Sequence, residues 1–172
     1  ESIRKKAYSC IKNLRDGIAD GIQVNKNLTV YTTLPDEDYD FEDYQNILTT
    51  LAKNYSLVLM DCDFETNYGY FKNAQEMYLV QSFDILTIQP LTAFLRDLKS
   101  KNILNPEKLR IVLNKVLRVR SVTEKTIIGG MAFYNDPAMS FMTELFNKDT
   151  VKYCSIPFEE QTYSRYLEGL VN

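Results

Sequence analysis

LRIVLNK, residues 109–115, is the stretch of sequence that predicts the fold most directly. Its middle, Ile111-Val112-Leu113, is apolar throughout, which is typical of a strand covered on both faces in a parallel sheet. We expect this strand to span Leu109–Asn114 and to stop on the polar pair Asn114-Lys115. In an open α/β sheet the carboxyl ends of parallel strands form the ligand-binding edge, so these polar residues are candidates for a site.

Two further apolar runs end in a similar way. LVLM is followed by Asp61-Cys62-Asp63, and VKYCSI is followed by Pro157-Phe158-Glu159-Glu160. Three such endings at one edge of a sheet predict a nucleotide site. The sequence contains no glycine-rich loop ending in Gly-Lys-Ser or Gly-Lys-Thr, so we expect the phosphate-cradling half of that site to be missing from this chain.

Strand and helix patterns alternate along the whole chain. The apolar or β-branched runs predict strands at 28–34, 56–61, 84–89, 109–114 and 150–156. Apolar spacings of three and four, with capping signals, predict helices at 3–18, 41–51, 70–80, 91–101, from the Ser121/Glu124 capping box to Gly129-Gly130, after Asp136-Pro137, and at 163–170. We therefore expect one α/β domain over residues 1–172, a three-layer fold with a mostly parallel sheet flanked by helices.

Composition excludes several classes of chemistry. The 172 residues include no histidine, which removes Ser-His and Cys-His nucleophile systems and His-ligated zinc. Cys10, Cys62 and Cys154 lie far apart and form no disulfide framework, as expected in a reducing cytoplasm. No apolar run approaches the about 20 residues of a membrane span. The net charge of −3 gives no support to association with DNA or with a membrane.

Asp61 and Asn114 are the strongest candidates for chemistry. A carboxylate that ends a buried strand can hold Mg²⁺ beside a phosphate, although Asp61 could equally cap the next loop. Asp63 and Glu65 add charge there and could share the metal or simply be solvated. The Asn114 carboxamide offers a donor and an acceptor, which complements a purine edge, but Asn is also a common turn residue.

The last predicted strand and the loop after Asn114 carry weaker signals. Pro157-Phe158 places a rigid turn and an aromatic ring where they could pack on a base, or Phe158 could belong to the core. Arg118 and Arg120 could meet phosphate, acidic lipid or DNA, or could form a solvated loop face.

The motifs in this order resemble the deviant Walker-A ATPases of the MinD/ParA family. YSLVLMDCDFE resembles the family's YDxVIIDxP, and FDILTIQPLTAFLRDLK resembles a strand and helix reading AD-VLLVTTPEPTSLRDA. LRIVLNKV resembles the IVLNR/NK strand, and VKYCSIPFEEQTYSRYLEG resembles VLGVIPFDEEVYRA. The TadZ/CpaE-like branch, which localises adhesion pili, is the nearest subtype. The resemblance covers about residues 55–169.

The resemblance implies a P-loop NTPase-like fold from which the first strand and the P-loop are absent, that is, the C-terminal part of a larger ATPase. It implies that ATP or ADP and Mg²⁺ are the cofactors. Asp61 would be the catalytic and metal-binding residue, Asn114 would contact adenine, and Pro157 and Phe158 would lie beside the base. Asp63 stands where the family usually has proline, and without the lysine-rich phosphate loop the chain alone should not hydrolyse ATP.

For the intact protein the resemblance implies a cytoplasmic homodimer that positions a secretion, pilus or partition apparatus through ATP-controlled dimerisation. It leaves open peripheral attachment to the inner face of the membrane. The alternative is a non-catalytic interaction scaffold that keeps the ATPase fold, with the tyrosine-rich surface as its docking site. A receiver-like phosphoacceptor domain is a third alternative, but the order of its acidic, Thr and Lys residues matches poorly.

Overall fold

The computed structural model describes residues 10–32, 43–84, 86–133, 146 and 152–169. Contacts between residues divide the chain into two compact units, Glu1–Asn73 and Ala74–Asn172. The chain is mixed α/β, and its second unit contains a parallel sheet flanked by helices, as the sequence predicts. A single domain over residues 1–172 stays a prediction.

The described residues of the first unit form three helices and a small hairpin. Its elements are α1 (Cys10–Arg15), β1 (Ile22–Asn25), β2 (Leu28–Val30), α2 (Tyr44–Asn54) and α3 (Tyr68–Asn73). β1 and β2 pair antiparallel. The predicted strand 28–34 is therefore the short second arm of a hairpin, and its residues 33–34 lie outside the described part of the chain.

The core of the first unit gathers around α2, where the predicted helix is confirmed from Tyr44 onward. Ile47 and Leu51 are buried on one face of α2, together with Leu14 of α1 and Tyr70 of α3. The spacing of four between Ile47 and Leu51 places them on the same side of the helix. Phe41, which also fits this spacing, lies outside the described residues.

The glycine at position 17 determines where α1 ends. The predicted helix 3–18 is confirmed over Cys10–Arg15, and residues 3–9 lie outside the described part of the chain. Gly17 has a φ of 82°, in the left-handed region that glycine enters without steric cost. The Gly17 and Ile18 N–H groups then donate to the Leu14 and Asn13 carbonyls at 3.1 and 2.8 Å, which closes the helix.

The second unit contains a three-stranded parallel sheet with its connecting helices. Its elements are β3 (Met77–Ser82), α4 (Ile88–Ser100), a 3₁₀ turn (Pro106–Lys108), β4 (Leu109–Val116), α5 (Glu124–Phe133), β5 (Tyr153–Pro157) and α6 (Glu160–Leu167). The strand order is β3-β4-β5, and both pairings are parallel. The predicted strand at 109–114 and the predicted helix at 91–101 are confirmed, and the predicted strand at 150–156 is confirmed in part, at 153–157.

The sheet buries one side of β3 and almost all of the middle of β4. Met77, Leu79 and Gln81 are buried, whereas Tyr78 and Val80 between them are exposed. In β4 the run Ile111-Val112-Leu113 is fully buried. That is the pattern expected of a central parallel strand.

The prediction of a strand at 84–89 is wrong. The helix predicted at 70–80 is also wrong in its second half. The strand is Met77–Ser82, and Ile88 and Gln89 already belong to α4. Pro90 lies in the first turn of α4, where a missing N–H costs no hydrogen bond, so this proline marks a helix start and not a strand end. α3 covers only the beginning of the predicted helix.

The strand predicted at 56–61 is also wrong, although its sequence is rich in apolar residues. Residues 57–63 form neither strand nor helix, and Leu57 and Leu59 are 75% and 84% exposed. A strand exists only where a neighbouring strand pairs with it, and no described strand pairs with this segment. Asp61 therefore follows a mostly exposed segment and not a buried strand.

The signals around α5 need two corrections. Thr123, and not Ser121, caps this helix, because its Oγ1 accepts the Thr126 N–H at 3.2 Å. Gly129 and Gly130 lie inside α5 and do not end it. A Cβ on Gly130 would approach the Ile88 Cδ1 to 3.0 Å, so glycine lets α4 and α5 pack closely there. The helix predicted after Asp136-Pro137 lies outside the described residues, apart from the buried Phe146.

Candidate functional site

The carboxyl ends of β3, β4 and β5 lie along one edge of the sheet because the three strands are parallel. Ser82 at the end of β3 is in register with Asn114, and Val116 at the end of β4 is in register with Pro157. The structure thus brings Asn114 and the Pro157-Phe158 turn to neighbouring positions at one edge. We call this group, with Lys115 and Tyr163, the edge site.

The side-chain Nδ2 group of Asn114 is free to donate hydrogen bonds at this edge. Its backbone carbonyl accepts the Phe83 N–H at 3.1 Å, which joins β4 to the turn after β3. Its Oδ1 accepts the Lys115 N–H at 3.0 Å. Within the described part of the chain its Nδ2 has no hydrogen-bond acceptor, so this N–H donor and the second lone pair of Oδ1 are available to a ligand.

Lys115 turns the chain sharply at the end of β4. Its φ of 58° is in the left-handed region, which costs a non-glycine residue about 1 kcal/mol or more. The ladder between β4 and β5 is irregular at the same place, between Leu113 and Val116. The Lys115 Nζ lies 5.1 Å from the centroid of the Tyr163 ring, within the range of a cation–π interaction.

Three aromatic rings form a row beside Lys115. The Phe158 N–H donates to the Val116 carbonyl at 3.0 Å, which fixes the turn after β5. The Phe158 ring lies 5.5 Å from that of Tyr163, and Tyr163 is stacked on Tyr166 at 6.4 Å. Phe158 is half-buried, whereas 39% of Tyr163 and 69% of Tyr166 are exposed. Exposed rings of this kind can stack on a planar ligand.

Gln81 holds the turn that leads away from β3. Its side chain is buried, and its Nε2 donates to the Ser82 carbonyl at 2.8 Å and to the Thr87 hydroxyl. Asp84 adds a second restraint, because its Oδ1 accepts the Thr87 N–H at 2.9 Å. The edge beside Asn114 is therefore fixed by a buried polar side chain.

Asp61 belongs to the first unit, whereas the edge site belongs to the second, so their predicted convergence on one rim stays a prediction. Asp61 is exposed. Asp63 closes a turn: its Oδ1 accepts the Glu65 N–H at 3.0 Å and the Thr66 hydroxyl at 2.9 Å. These bonds, that from Thr66 above all, lower the pKa of the Asp63 carboxyl. Asp63 therefore has a structural partner of its own.

The described residues contain no group of three Asp, Glu, Cys or His side chains that could hold a metal ion. Cys62, next to Asp61, is an exposed residue, and the pKa of its thiol is raised, chiefly by partial desolvation and also by the nearby Asp61 and Asp63 carboxylates. A Mg²⁺ ion at Asp61 would need its other ligands from water and from phosphate.

Sequence reasoning missed Tyr163 and Gln81, and it named Lys115 only as part of the polar pair that ends β4. The only signal for Tyr163 was its position five residues after Phe158, with Tyr166 one helical turn further on. Lys115 adjoins Asn114, but nothing in the sequence announces its left-handed backbone. The predicted helix 70–80 and strand 84–89 leave Gln81 in a loop between them, so the sequence does not predict that its side chain is buried.

Comparison of the chain with protein-family models, with curated proteins and with solved structures finds no match. In the described residues no helix is both long enough and apolar enough to cross a bilayer.

Proposed function

We propose that the second unit binds the base of an adenine nucleotide at the edge site, as part of a MinD/ParA-type ATPase that positions a cellular apparatus through nucleotide-controlled dimerisation. The observation that carries this proposal is the free Nδ2 donor of Asn114 at the end of β4, next in sequence to Lys115, whose Nζ lies 5.1 Å from the centroid of the exposed Tyr163 ring. Adenine presents a hydrogen-bonding edge and a flat π face, and these two protein groups complement both.

The corrected position of β3 changes one part of the resemblance. FDILTIQPLTAFLRDLK, the segment that resembles the family's strand and helix, contains α4 but no strand among its described residues, and the strand before β4 is MYLVQS. The family's strand before its Asn strand would then be β3, directly paired with β4. Asn114 and the Pro157-Phe158 turn keep the roles that the resemblance implies.

Binding to this chain alone should be weak, because only the base is held. Stacking of a base on an aromatic side chain is worth about 1–3 kcal/mol, and one neutral hydrogen bond adds about 1 kcal/mol. Their sum is no more than the about 4 kcal/mol that corresponds to a millimolar dissociation constant. Phosphate contacts would supply the rest in a protein that has the phosphate loop, and hydrolysis by this chain is not expected.

The test is an NMR titration of the ¹⁵N-labelled chain with adenosine, AMP, ADP and Mg-ATP. We expect amide shifts at Asn114, Lys115 and Phe158, with similar millimolar constants for all four compounds, since the phosphates are not held. Saturable micromolar binding of Mg-ATP would mean that a phosphate site exists elsewhere in the chain. No shift at these amides with any of the four would refute the base site.

A matched pair of variants isolates the Asn114 donor. Asn114→Asp keeps an acceptor for the Lys115 N–H, removes the Nδ2 donor and adds a negative charge, which the control variant adds as well. Asn105→Asp is the control, because the Asn105 Oδ1 similarly accepts a backbone N–H, that of Glu107, at 3.0 Å, and it lies at the opposite end of β4. We expect Asn114→Asp to weaken adenosine binding about 3- to 10-fold and Asn105→Asp to leave it unchanged.

A non-catalytic scaffold with an ATPase-like fold is the second candidate function. It is favoured by the surroundings of Asp61, which is exposed beside unpaired, exposed apolar residues and lacks a three-ligand cluster within the described residues. The two candidates differ in the titration above, since a scaffold need not recognise adenine.

A further inference from the structure

An open groove of about 630 Å³ lies where the chain passes from β4 to α5. Its walls include the loop Leu117–Arg120, the start of α5, Phe83 and Tyr153. Asn114, Pro157 and Phe158 do not line it, so it is distinct from the edge site. We call it the loop groove.

The loop groove concentrates positive charge on a chain whose net charge is −3. Arg118, Arg120 and Lys125 line it, and Glu124 is the only acidic residue among the described residues that line it. None of the three cations has an ion pair or a hydrogen bond within the described part of the chain. No described ion pair or hydrogen bond therefore ties these three charged groups to the rest of the fold.

Apolar side chains alternate with the two arginines in the same wall. Leu117 and Val119 are 49% and 48% exposed, which leaves much of their surface for a partner to cover. Val119 and Val122 form an antiparallel bridge, so the loop is held in a defined turn. A surface that pairs exposed aliphatic groups with free guanidinium groups suits a ligand that is both apolar and acidic.

We propose that the loop groove is a docking site for an acidic peptide segment that carries large apolar side chains. Charge complementarity selects the acidic partner, and Leu117 and Val119 select one that also buries hydrocarbon. Inorganic phosphate fits less well for two reasons. The groove is open and mostly apolar, and the first turn of α5 is already capped, because the Thr123 Oγ1 accepts the Thr126 N–H.

The test measures fluorescence anisotropy with the full chain and a fluorescein-labelled peptide in which Asp and Glu alternate with Leu and Phe. We expect saturable binding that weakens steeply as salt is raised, since exposed charges are screened within about 10 Å at 0.1 M salt. A peptide of the same length with Asn and Gln in place of the acids should bind at least about 10-fold more weakly.

Matched variants locate the site. Arg118→Ser combined with Arg120→Ser should weaken peptide binding about 10-fold or more, and Leu117→Ser should weaken it about 3- to 10-fold at any salt concentration. Arg96→Ser is the control, because Arg96 is an exposed arginine on α4 that does not line the groove. All these residues are exposed, so the thermal midpoint should change little, which separates lost binding from lost folding.

Three results would overturn the proposal. They are the absence of saturable peptide binding at low salt, an equal loss with Arg96→Ser, and tighter binding of vesicles rich in anionic lipid or of inorganic phosphate than of the peptide. The adenosine titration depends on Asn114 and not on this groove, so either proposal can fail without the other.

Discussion

Replacing Gly69 by alanine should destabilise the first unit, although alanine normally favours a helix. Gly69 is the second residue of α3, and a Cβ at this position would lie 2.5 Å from the Tyr44 ring. Non-bonded carbon atoms do not approach so closely, so the tyrosine side chain would have to move. Tyr44 is half-buried and meets the ring of the buried Tyr70 edge-to-face at 6.0 Å.

Two effects of opposite sign decide the outcome. Gly to Ala in a helix interior gains about 1 kcal/mol, and less in the first turn. Moving Tyr44 forfeits an aromatic pair worth about 0.5–1.5 kcal/mol, and the overpacked contact costs about 1–3 kcal/mol. The sum favours destabilisation by about 0.5–3.5 kcal/mol. The free energy of unfolding in urea, followed by circular dichroism, measures it.

A double-mutant cycle tests the cause and not only the sign. In a Tyr44→Ala background the obstruction is gone, so Gly69→Ala should become neutral or stabilising by up to about 0.5–1 kcal/mol. Stabilisation by Gly69→Ala in the unmodified chain, or the same effect in both backgrounds, would refute the close contact between Gly69 and Tyr44.

Three other expectations follow from the core, from burial and from the resemblance. Leu113 is completely buried in β4, so Leu113→Ala should lower the free energy of unfolding by about 2–5 kcal/mol in a urea titration, whereas a loss below about 1 kcal/mol would contradict its central place. Burial raises the pKa of Tyr70 to about 12, so the folded state favours the neutral phenol. The stability that results is complete below about pH 10 and is lost towards about pH 12. Urea midpoints measured across this range should decline less in Tyr70→Phe than in the unmodified chain. In a longer protein that carries a phosphate loop, Asp61→Ala should abolish ATP turnover and leave the circular dichroism spectrum unchanged, and unaltered turnover would remove Asp61 from catalysis.

The centre of the sheet could be predicted from sequence because there burial alone decides the structure. Ile111-Val112-Leu113 has no polar residue that would allow another arrangement, and the spacing of Leu91, Leu95 and Leu98 suits only a helix. In both places local propensity and tertiary burial agree. The parallel class of the sheet followed from these elements.

Elsewhere the local pattern and the tertiary surroundings disagree. MYLVQS has apolar residues at both strand and helix spacing, and only its pairing with β4 decides for the strand. SLVLM has the composition of a buried strand, but no described strand pairs with it. Leu57, Leu59 and Met60 are exposed, and Val58 packs against the core of the first unit. Gly129-Gly130 looks like a helix stop, whereas the close approach of Ile88 favours glycine inside α5.

The edge site could be predicted only where a residue type marks the end of a strand. Asn114, Pro157 and Phe158 are polar, rigid or aromatic residues directly after apolar runs, and the structure places all three at one edge. Lys115 and Tyr163 depend on a left-handed turn and on the direction in which α6 leaves β5. Neither property is encoded by spacing, so Tyr163 could not be chosen from the sequence, and Lys115 could be chosen only as the polar neighbour of Asn114.

The exposed residues of β3 have a practical consequence for handling the protein. β3 lies at the margin of the described sheet, its sequence MYLVQS carries no charge and no proline, and Tyr78 and Val80 face outward. Short neutral segments of this kind template cross-β aggregation when their backbone is uncovered. A single lysine in place of Val80 would act as a gatekeeper and reduce aggregation in concentrated samples. Val80 belongs to neither the edge site nor the loop groove.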